Sequence, residues 1–201
     1  MMRIAVVFGF LSAAAGAGAQ QPMLPVDFRP FTDGRHWIVK EPLTYIVGAS
    51  KESVTVPVGF VTDLASIPPA LQSIIQQNGD YLLPAVVHDY LYWKQTCTRA
   101  QADGIFLLAM IEHKVSRVHQ TAIFQAVRAA GEYAWNSNTR ERAAGRPRII
   151  PPQYLKIPAN VSWESYQQQL IAAGVAEGPD LPVAQTFCAR GGMSIQRALR
   201  P

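Results

Sequence analysis

The sequence has few of the features that would assign it to a specialised class of protein. Only two of its 201 residues are cysteine, charged residues make up 16%, and there is no internal repeat or low-complexity tract. After residue 19 no apolar run is long enough to span a bilayer. The net charge of +4 is mild for this length and forms no dense basic stripe, so we do not expect a nucleic-acid partner. What remains is a globular composition, and the chain is long enough to bury a core.

The N-terminal segment, residues 1–19, has the pattern of a secretory signal peptide. Arg3 gives a positive start, residues 4–11 are apolar, and Ala17-Gly18-Ala19 forms an A-x-A cleavage pattern before Gln20. The apolar stretch is short for a membrane span, although an uncleaved anchor is the alternative. We therefore expect an exported protein, periplasmic or secreted, with no transmembrane segment after cleavage.

The two cysteines, Cys97 and Cys188, both lie in the part of the chain that would survive cleavage. In an oxidising compartment an even pair favours one disulfide. It would close a loop of about ninety residues and stabilise the fold by roughly 4–5 kcal/mol in the chain-entropy model. Such a bond would tie the C-terminal tail to the middle of the chain, whereas two unpaired thiols are the alternative.

Hydrophobic patterning predicts short strands followed by helices. Runs of β-branched and aromatic residues, punctuated by glycine and proline, predict strands at 37–39, 43–47 and 53–56. Apolar residues at helical spacing then predict five helices, which cover 70–77, 81–94 (or from Pro84), a segment that begins at Thr98, 118–135 and 163–173.

This pattern predicts an α+β fold. A small N-terminal antiparallel sheet would pack on a helical core that contains an antiparallel helix hairpin. We divide the chain into the signal peptide at 1–19, a single α+β domain at 20–136, and a linker with a C-terminal extension at 137–201. Residues 137–161 are polar, basic and rich in proline, which is typical of a linker or an extended wrap.

The helix hairpin carries the residues that are best suited to catalysis. His88 and Tyr92 are four residues apart and so share one helix face. A turn near residues 96–98 makes the next helix run back antiparallel, which sets Asp103 at a level between them. One carboxylate could then accept hydrogen bonds from both side chains, fix the imidazole tautomer and raise its basicity, as a general base acting on water requires.

A second carboxylate on the same helix suggests a cation site. Asp89 points about 100° away from His88 around the helix, toward the segment that contains Thr62 and Asp63. Asp89 and Asp63, together with loop carbonyls, could hold a hard cation such as Ca²⁺.

Three ordered motifs resemble a bacterial and phage-associated domain family of unknown function. They are Gly59-Phe60-x-Thr62-Asp63-x-Ala65-Ser66-Ile67-Pro68, His88-Asp89-x-Leu91-Tyr92 and Ala102-Asp103-x-x-Phe106-x-x-Ala109-Met110. The resemblance covers roughly residues 25–135 and implies no established activity. It leaves open a phage-derived, non-enzymatic accessory or structural role.

The second motif also resembles that of secreted phospholipase A2, especially its short prokaryotic form, which has H-D-x-x-Y on one helix and an Asp on the next. This resemblance implies that His88 is the general base that activates water, that Asp103 orients His88 and that Tyr92 braces Asp103. It also implies that Asp89 binds Ca²⁺, which would polarise the ester carbonyl. The phospholipases place a glycine-rich calcium loop before this helix. Here the Gly59–Asp63 segment would have to replace it.

Each of these residues has a structural alternative. His88, Tyr92 and Asp103 could form a satisfied polar network that only locks two helices together. Asp63 could cap a turn, and Ser66 lacks the G-x-S-x-G elbow that a nucleophilic serine would need. Other polar residues suit solvated roles, namely the histidines at 36, 113 and 119 and the arginines at 140, 142, 146 and 148.

The sequence therefore leaves three hypotheses for function. The first is an exported His–Asp hydrolase that acts on an ester such as a phospholipid, with a lipid or membrane surface as its partner. The second is the non-enzymatic accessory protein, and the third is a module that binds a divalent ion or ligand without turnover. Catalysis requires His88 to face a cleft with room for water, whereas a purely structural network would bury His88 with no cavity.

Overall fold

The computed structural model describes residues 23–48, 50–64, 81–180 and 186–198, with side chains to residue 193. Five short strands come first, which are β1 (Phe28–Pro30), β2 (Trp37–Val39), β3 (Leu43–Ile46), β4 (Ser53–Val56) and β5 (Val61–Thr62). Helices follow, which are α1 (Leu82–Lys94), α2 (Arg99–Glu112), α3 (Arg117–Ala143), a single 3₁₀ turn (Pro152–Tyr154), α4 (Trp163–Ala172) and α5 (Cys188–Ala198). This order confirms the predicted α+β class, with antiparallel strands before a helical core.

The strands form two small sheets rather than one. β2 pairs with both β1 and β5, whereas β3 pairs with β4, and every pairing is antiparallel. Pro42 lies between β2 and β3 and has no N–H to donate, so the ladder does not continue from one strand to the next. The three predicted strands are present, and β1 and β5 are additions that the sequence did not predict.

α1 begins and ends close to the predicted bounds, and α2 begins where the sequence predicts. α1 ends at Gln95, which adopts the left-handed conformation (φ 54°). Thr98 then caps α2, because its side chain accepts from the Gln101 backbone N–H while the Gln101 side chain reaches back to the Thr98 N–H. The predicted capping box is therefore confirmed, and the hairpin turn spans only residues 95–98.

The third helix is longer than predicted. We expected it to end at Trp135, but α3 continues to Ala143. The reason is that residues 136–144 contain neither glycine nor proline, so nothing stops the helix before Gly145, which adopts a positive φ of 67°.

The prediction of a linker at residues 137–143 is therefore wrong. The polar side chains of an exposed helix face have the same composition as an irregular linker. The division into a domain at 20–136 and an extension at 137–201 stays a prediction.

The chain after α3 packs back on the three-stranded sheet. Ile150 donates its backbone N–H to the Gly59 carbonyl (2.9 Å), and Phe60 forms a bridge with Ile149. The contact needs glycine at position 59, since a Cβ there would collide with the Ile150 carbonyl and φ is +87°. The second hydrophobic cluster of the protein forms here, from Phe31, Ile38, Val61, Ile150, Ile157, Val161, Trp163, Tyr166, Leu170 and Val175.

A disulfide links the last helix, α5, to the hairpin of α1 and α2. Cys97 and Cys188 form the predicted disulfide. The backbones of α5 and α2 are in close contact at Gly104 and Gly191. This contact is possible because neither residue has a Cβ, for which there is no space between the helices. This disulfide suggests an oxidising environment.

Two predictions fall on parts of the chain that the structure does not describe. The predicted helix at 70–77 and the signal peptide at 1–19 both lie outside the described residues, as does Ser66. In the portions that are described, none of the helices has the length and hydrophobicity to cross a membrane.

Candidate active site

The hairpin of α1 and α2 brings three predicted site residues together. The Asp103 carboxylate is fully buried, and its Oδ1 accepts hydrogen bonds from His88 Nε2 (3.0 Å) and from the Tyr92 hydroxyl (2.5 Å). The predicted geometry, with Asp103 at a level between His88 and Tyr92, is therefore present. The roles assigned to these residues remain predictions.

A fourth residue, Arg99, completes the network and was not predicted. Its Nη1 donates to Asp103 Oδ2 at 3.3 Å from one turn earlier on α2. The Arg99 guanidinium, which is only partly exposed, provides a positive charge beside a carboxylate that would otherwise be costly to bury. The signal was available in the sequence, because residues 99 and 103 have the i, i+4 spacing that places opposite charges on one helix face.

The hydrogen bond to Asp103 determines what the His88 ring can do. A carboxylate only accepts hydrogen bonds, so Nε2 carries the proton and Nδ1 of the neutral ring keeps its lone pair. Among the described residues Nδ1 has no hydrogen-bond partner, although it is buried. The ring is held between Phe106, whose centroid lies 4.7 Å away, and Tyr92, at 4.1 Å. His88 is thus a rigidly held imidazole whose Nδ1 is buried and has no hydrogen-bond partner among the described residues.

The Tyr92 hydroxyl is a fixed donor in this network. Burial, and then the charge of Asp103, raise the pKa of Tyr92 well above its usual value. The phenol therefore keeps its proton through the physiological pH range and continues to donate to Asp103. Tyr92 also packs edge-on against Trp135 of α3, with centroids 5.1 Å apart, which links the hairpin to the third helix.

His88 and Tyr92 line a pocket of about 360 Å³ between α1 and α3. This volume is within the range of small-molecule sites. His88 is only 3% exposed, so a molecule that reaches it must enter the pocket. A network built only to lock helices together would not require such a cavity.

The two predicted cation ligands lie at the same pocket. Asp63 and Asp89 both line it, and Asp89 Oδ2 accepts from the Thr62 hydroxyl and from the Asp63 backbone N–H (3.2 Å). The predicted approach of Asp89 to the Thr62–Asp63 segment is therefore present. Asp63 Oδ1 lies 3.6 Å from Nη2 of Arg148.

The described residues do not by themselves complete a calcium site. Within the described ranges no group of three or more His, Cys, Asp and Glu side chains could hold a metal ion. The positively charged Arg148 beside Asp63 also disfavours a dication at that carboxylate. Calcium at Asp63 and Asp89 stays a prediction.

Arg148 lines the pocket, whereas the sequence predicts a solvated linker at this position. Its Nε donates to the Val61 carbonyl (2.8 Å) and its Nη1 donates to Asn138 Oδ1 (2.9 Å), so the side chain is held in one position. With 13% of the side chain exposed, the interpretation of the arginine run as a solvated linker is wrong at this position. The linear sequence could not place Arg148 at the pocket, because its three partners come from β5, α3 and the segment after β5.

Comparison with known protein families gives one match. Residues 37–127 match a family model described as protein of unknown function (DUF1353). The predicted resemblance to a domain family of unknown function is thereby confirmed for this segment. No curated protein and no solved structure matches the chain significantly.

The DUF1353 segment contains part of the pocket. It includes His88, Tyr92, Asp103 and the two carboxylates at 63 and 89. Eight of the described lining residues, from Ala130 to Arg148, follow the segment in the chain. The pocket of this protein is therefore built from the DUF1353 segment together with the second half of α3 and the chain beyond it.

Proposed function

We propose that the protein is an exported hydrolase in which His88 acts as a general base on an ester such as a phospholipid. The observation that supports this most is that His88, oriented by a buried carboxylate, lines a pocket of about 360 Å³. A perfectly satisfied structural network would leave neither a cavity nor a ring nitrogen without a partner among the described residues. Export is supported by the signal-peptide pattern and by the disulfide.

The proposed reaction uses His88 Nδ1 as the base. His88 Nδ1 accepts a proton from a water molecule in the pocket while the water oxygen bonds to the ester carbonyl carbon. Asp103 stabilises the imidazolium that forms, and its hydrogen bond keeps the ring oriented. The tetrahedral intermediate then expels the alcohol oxygen, which receives the proton from His88 Nδ1. The products are one carboxylic acid and one alcohol, and the base is regenerated.

We assign to Arg148 the stabilisation of the negative charge that develops on the ester carbonyl oxygen. Its guanidinium lines the same pocket as His88, and its contacts with Val61 and Asn138 fix it before a substrate enters. A preorganised cation in a partly buried pocket stabilises an oxyanion better than water does, because it needs no reorientation during the reaction.

A ligand-binding module without turnover is the second candidate. The pocket itself favours it, since Asp63, Asp89 and Arg148 line the cavity whether or not chemistry takes place there. The non-enzymatic accessory role rests on the buried network alone and gives no reason for a cavity beside His88.

The test is hydrolysis of a mixed phospholipid panel and of short-chain esters by the purified mature protein, with Ca²⁺ and with a chelator. His88→Asn should lower turnover by about 10²–10⁴-fold, the usual contribution of a general base. His119→Asn, which changes a histidine outside the pocket, is the matched control and should retain full activity. Folded wild-type protein with no turnover in any arm would contradict the proposal, and the chelator arm decides whether calcium is required.

A further inference from the structure

The pocket has two chemically different halves along α3. From residue 126 to residue 134 the helix lines the pocket with small apolar residues, which are Ala126, Val127, Ala130, Gly131 and Ala134. From residue 137 to residue 141 it lines the pocket with polar residues, which are Ser137, Asn138 and Glu141. The change along a single helix face means that a ligand lying along α3 meets apolar surface at one end and polar surface at the other.

The apolar half is long enough for an extended chain. Eight residues separate Ala126 from Ala134, which at 1.5 Å per residue is about 12 Å. Apart from Tyr133, the side chains on this face are small, and Ala130 remains exposed although it lines the pocket. Tyr133, a large aromatic that is 78% exposed, also lines the pocket.

The polar half is acidic. Asp63, Asp89 and Glu141 line the pocket against a single guanidinium, that of Arg148, so the described lining groups carry a negative balance at neutral pH. The acidity is local, because the whole chain carries a net charge of +4.

We infer that this pocket binds an amphiphile whose alkyl chain lies along the small-residue face of α3 and whose positively charged head group lies at the acidic end. The almost fully buried His88, whose Nδ1 has no partner among the described residues, lines the same pocket and is a second sign that a ligand enters. Tyr92 meets α3 at Gly131, within the apolar half. The inference rests on the proposed function and narrows it to esters of an acyl chain with an alcohol that carries an ammonium group.

The head group is tested by titration calorimetry of the mature protein with octylamine, octanol and octanoate, which share one tail. Octylamine should bind at least about tenfold more tightly than octanoate, because a carboxylate would meet like charges. Glu141→Gln should weaken octylamine about two- to fivefold and leave octanol unchanged, whereas Glu132→Gln, on an exposed part of α3 outside the pocket, should change neither. Equal or tighter binding of octanoate, or binding of Ca²⁺ that excludes octylamine, would overturn the inference.

The tail is tested with butylamine, hexylamine, octylamine and decylamine. Affinity should rise about fourfold per methylene until the chain reaches the end of the apolar face. Ala130→Trp should weaken octylamine at least about tenfold by filling this half of the pocket, whereas Ala129→Trp, on the adjacent exposed position outside the pocket, should not. Affinity that does not depend on tail length, or an equal effect of the two tryptophans, would overturn the inference.

These titrations are independent of turnover. Binding with the expected preferences but no hydrolysis of any ester would contradict the proposed function and leave the ligand assignment intact. Hydrolysis that depends on His88, without any preference for octylamine over octanoate, would support the proposed function and contradict the ligand assignment.

Discussion

Gly131 offers a test in which two effects of opposite sign can be separated. It lies inside α3, where replacing glycine by alanine normally stabilises a helix by about 1 kcal/mol. A Cβ at this position, however, would overlap the Tyr92 hydroxyl and lie 3.4 Å from Nη1 of Arg99. Tyr92 cannot move aside easily, because it is nearly buried, packs on His88 and Trp135 and donates to Asp103.

The hydrogen bond decides the sign of the effect. If Gly131→Ala displaces the Tyr92 hydroxyl, it breaks a bond to a charged acceptor that is worth about 1.5–3 kcal/mol. Against a helix gain of about 1 kcal/mol, the net result is a destabilisation of about 0.5–2 kcal/mol. We therefore expect the urea midpoint to fall with an unchanged m-value.

A double-mutant cycle makes this reasoning refutable. Tyr92→Phe removes the oxygen that the new methyl group would meet, and the next ring atom, Cζ, lies at 3.4 Å. In that background Gly131→Ala should be neutral or stabilising by up to about 1 kcal/mol. If Gly131→Ala stabilises the wild-type protein, or if the two changes are additive within about 0.5 kcal/mol, the tight fit between α1 and α3 is not real.

Three further predictions concern Asp103, the disulfide that holds α5, and the buried carboxyl group of Glu177. Asp103→Asn should lower ester turnover up to about 10⁴-fold, because the amide no longer stabilises an imidazolium at His88. It should also lower stability, because the amide has only one acceptor oxygen for the donors of His88, Tyr92 and Arg99; kcat measured on the fraction that a parallel melting curve shows to be folded separates the two effects. Replacing Cys97 and Cys188 by serine should lower the free energy of unfolding by about 4–5 kcal/mol, read from urea curves, and an unchanged midpoint would mean that α5 does not depend on the bond. Burial raises the pKa of Glu177, so its contribution to stability is present below the unfolded pKa and is lost as pH rises through the folded pKa. Glu177→Gln should therefore gain stability relative to wild type as pH rises above the ordinary value of 4.5, read from urea curves at several pH values. Glu177→Leu leaves an indole and two backbone N–H groups without their acceptor and should lose about 1–3 kcal/mol per group.

The helix hairpin could be predicted because its signals are local. The periodicity of α1, the capping box at Thr98 and the spacing of His88 and Tyr92 each lie within a few residues, and together they determine where Asp103 must fall. The disulfide could also be predicted, because there are only two cysteines to pair. Local patterns therefore led to the buried half of the candidate site.

The pocket itself could not be predicted, since it depends on contacts between distant segments. The polar stretch that continues α3 gives the same composition signal as a linker, and only the packing of α3 on α1 turns Asn138 and Glu141 toward a cavity. Arg148 is placed by the Val61 carbonyl, 87 residues earlier. Strands of two or three residues, such as β5, are likewise fixed by tertiary contacts rather than by propensity.

The most direct test of the account is the protonation state of His88 in a long-range ¹H–¹⁵N spectrum of the ¹⁵N-labelled protein at neutral pH. The chain has four histidines, and the signals lost in His88→Asn identify the ring. The account predicts a neutral ring with its proton on Nε2 and a proton-accepting Nδ1. A ring protonated on both nitrogens would be a static ion pair with Asp103, and a proton on Nδ1 would leave no base toward water; either result would contradict the assignment of His88 as a general base.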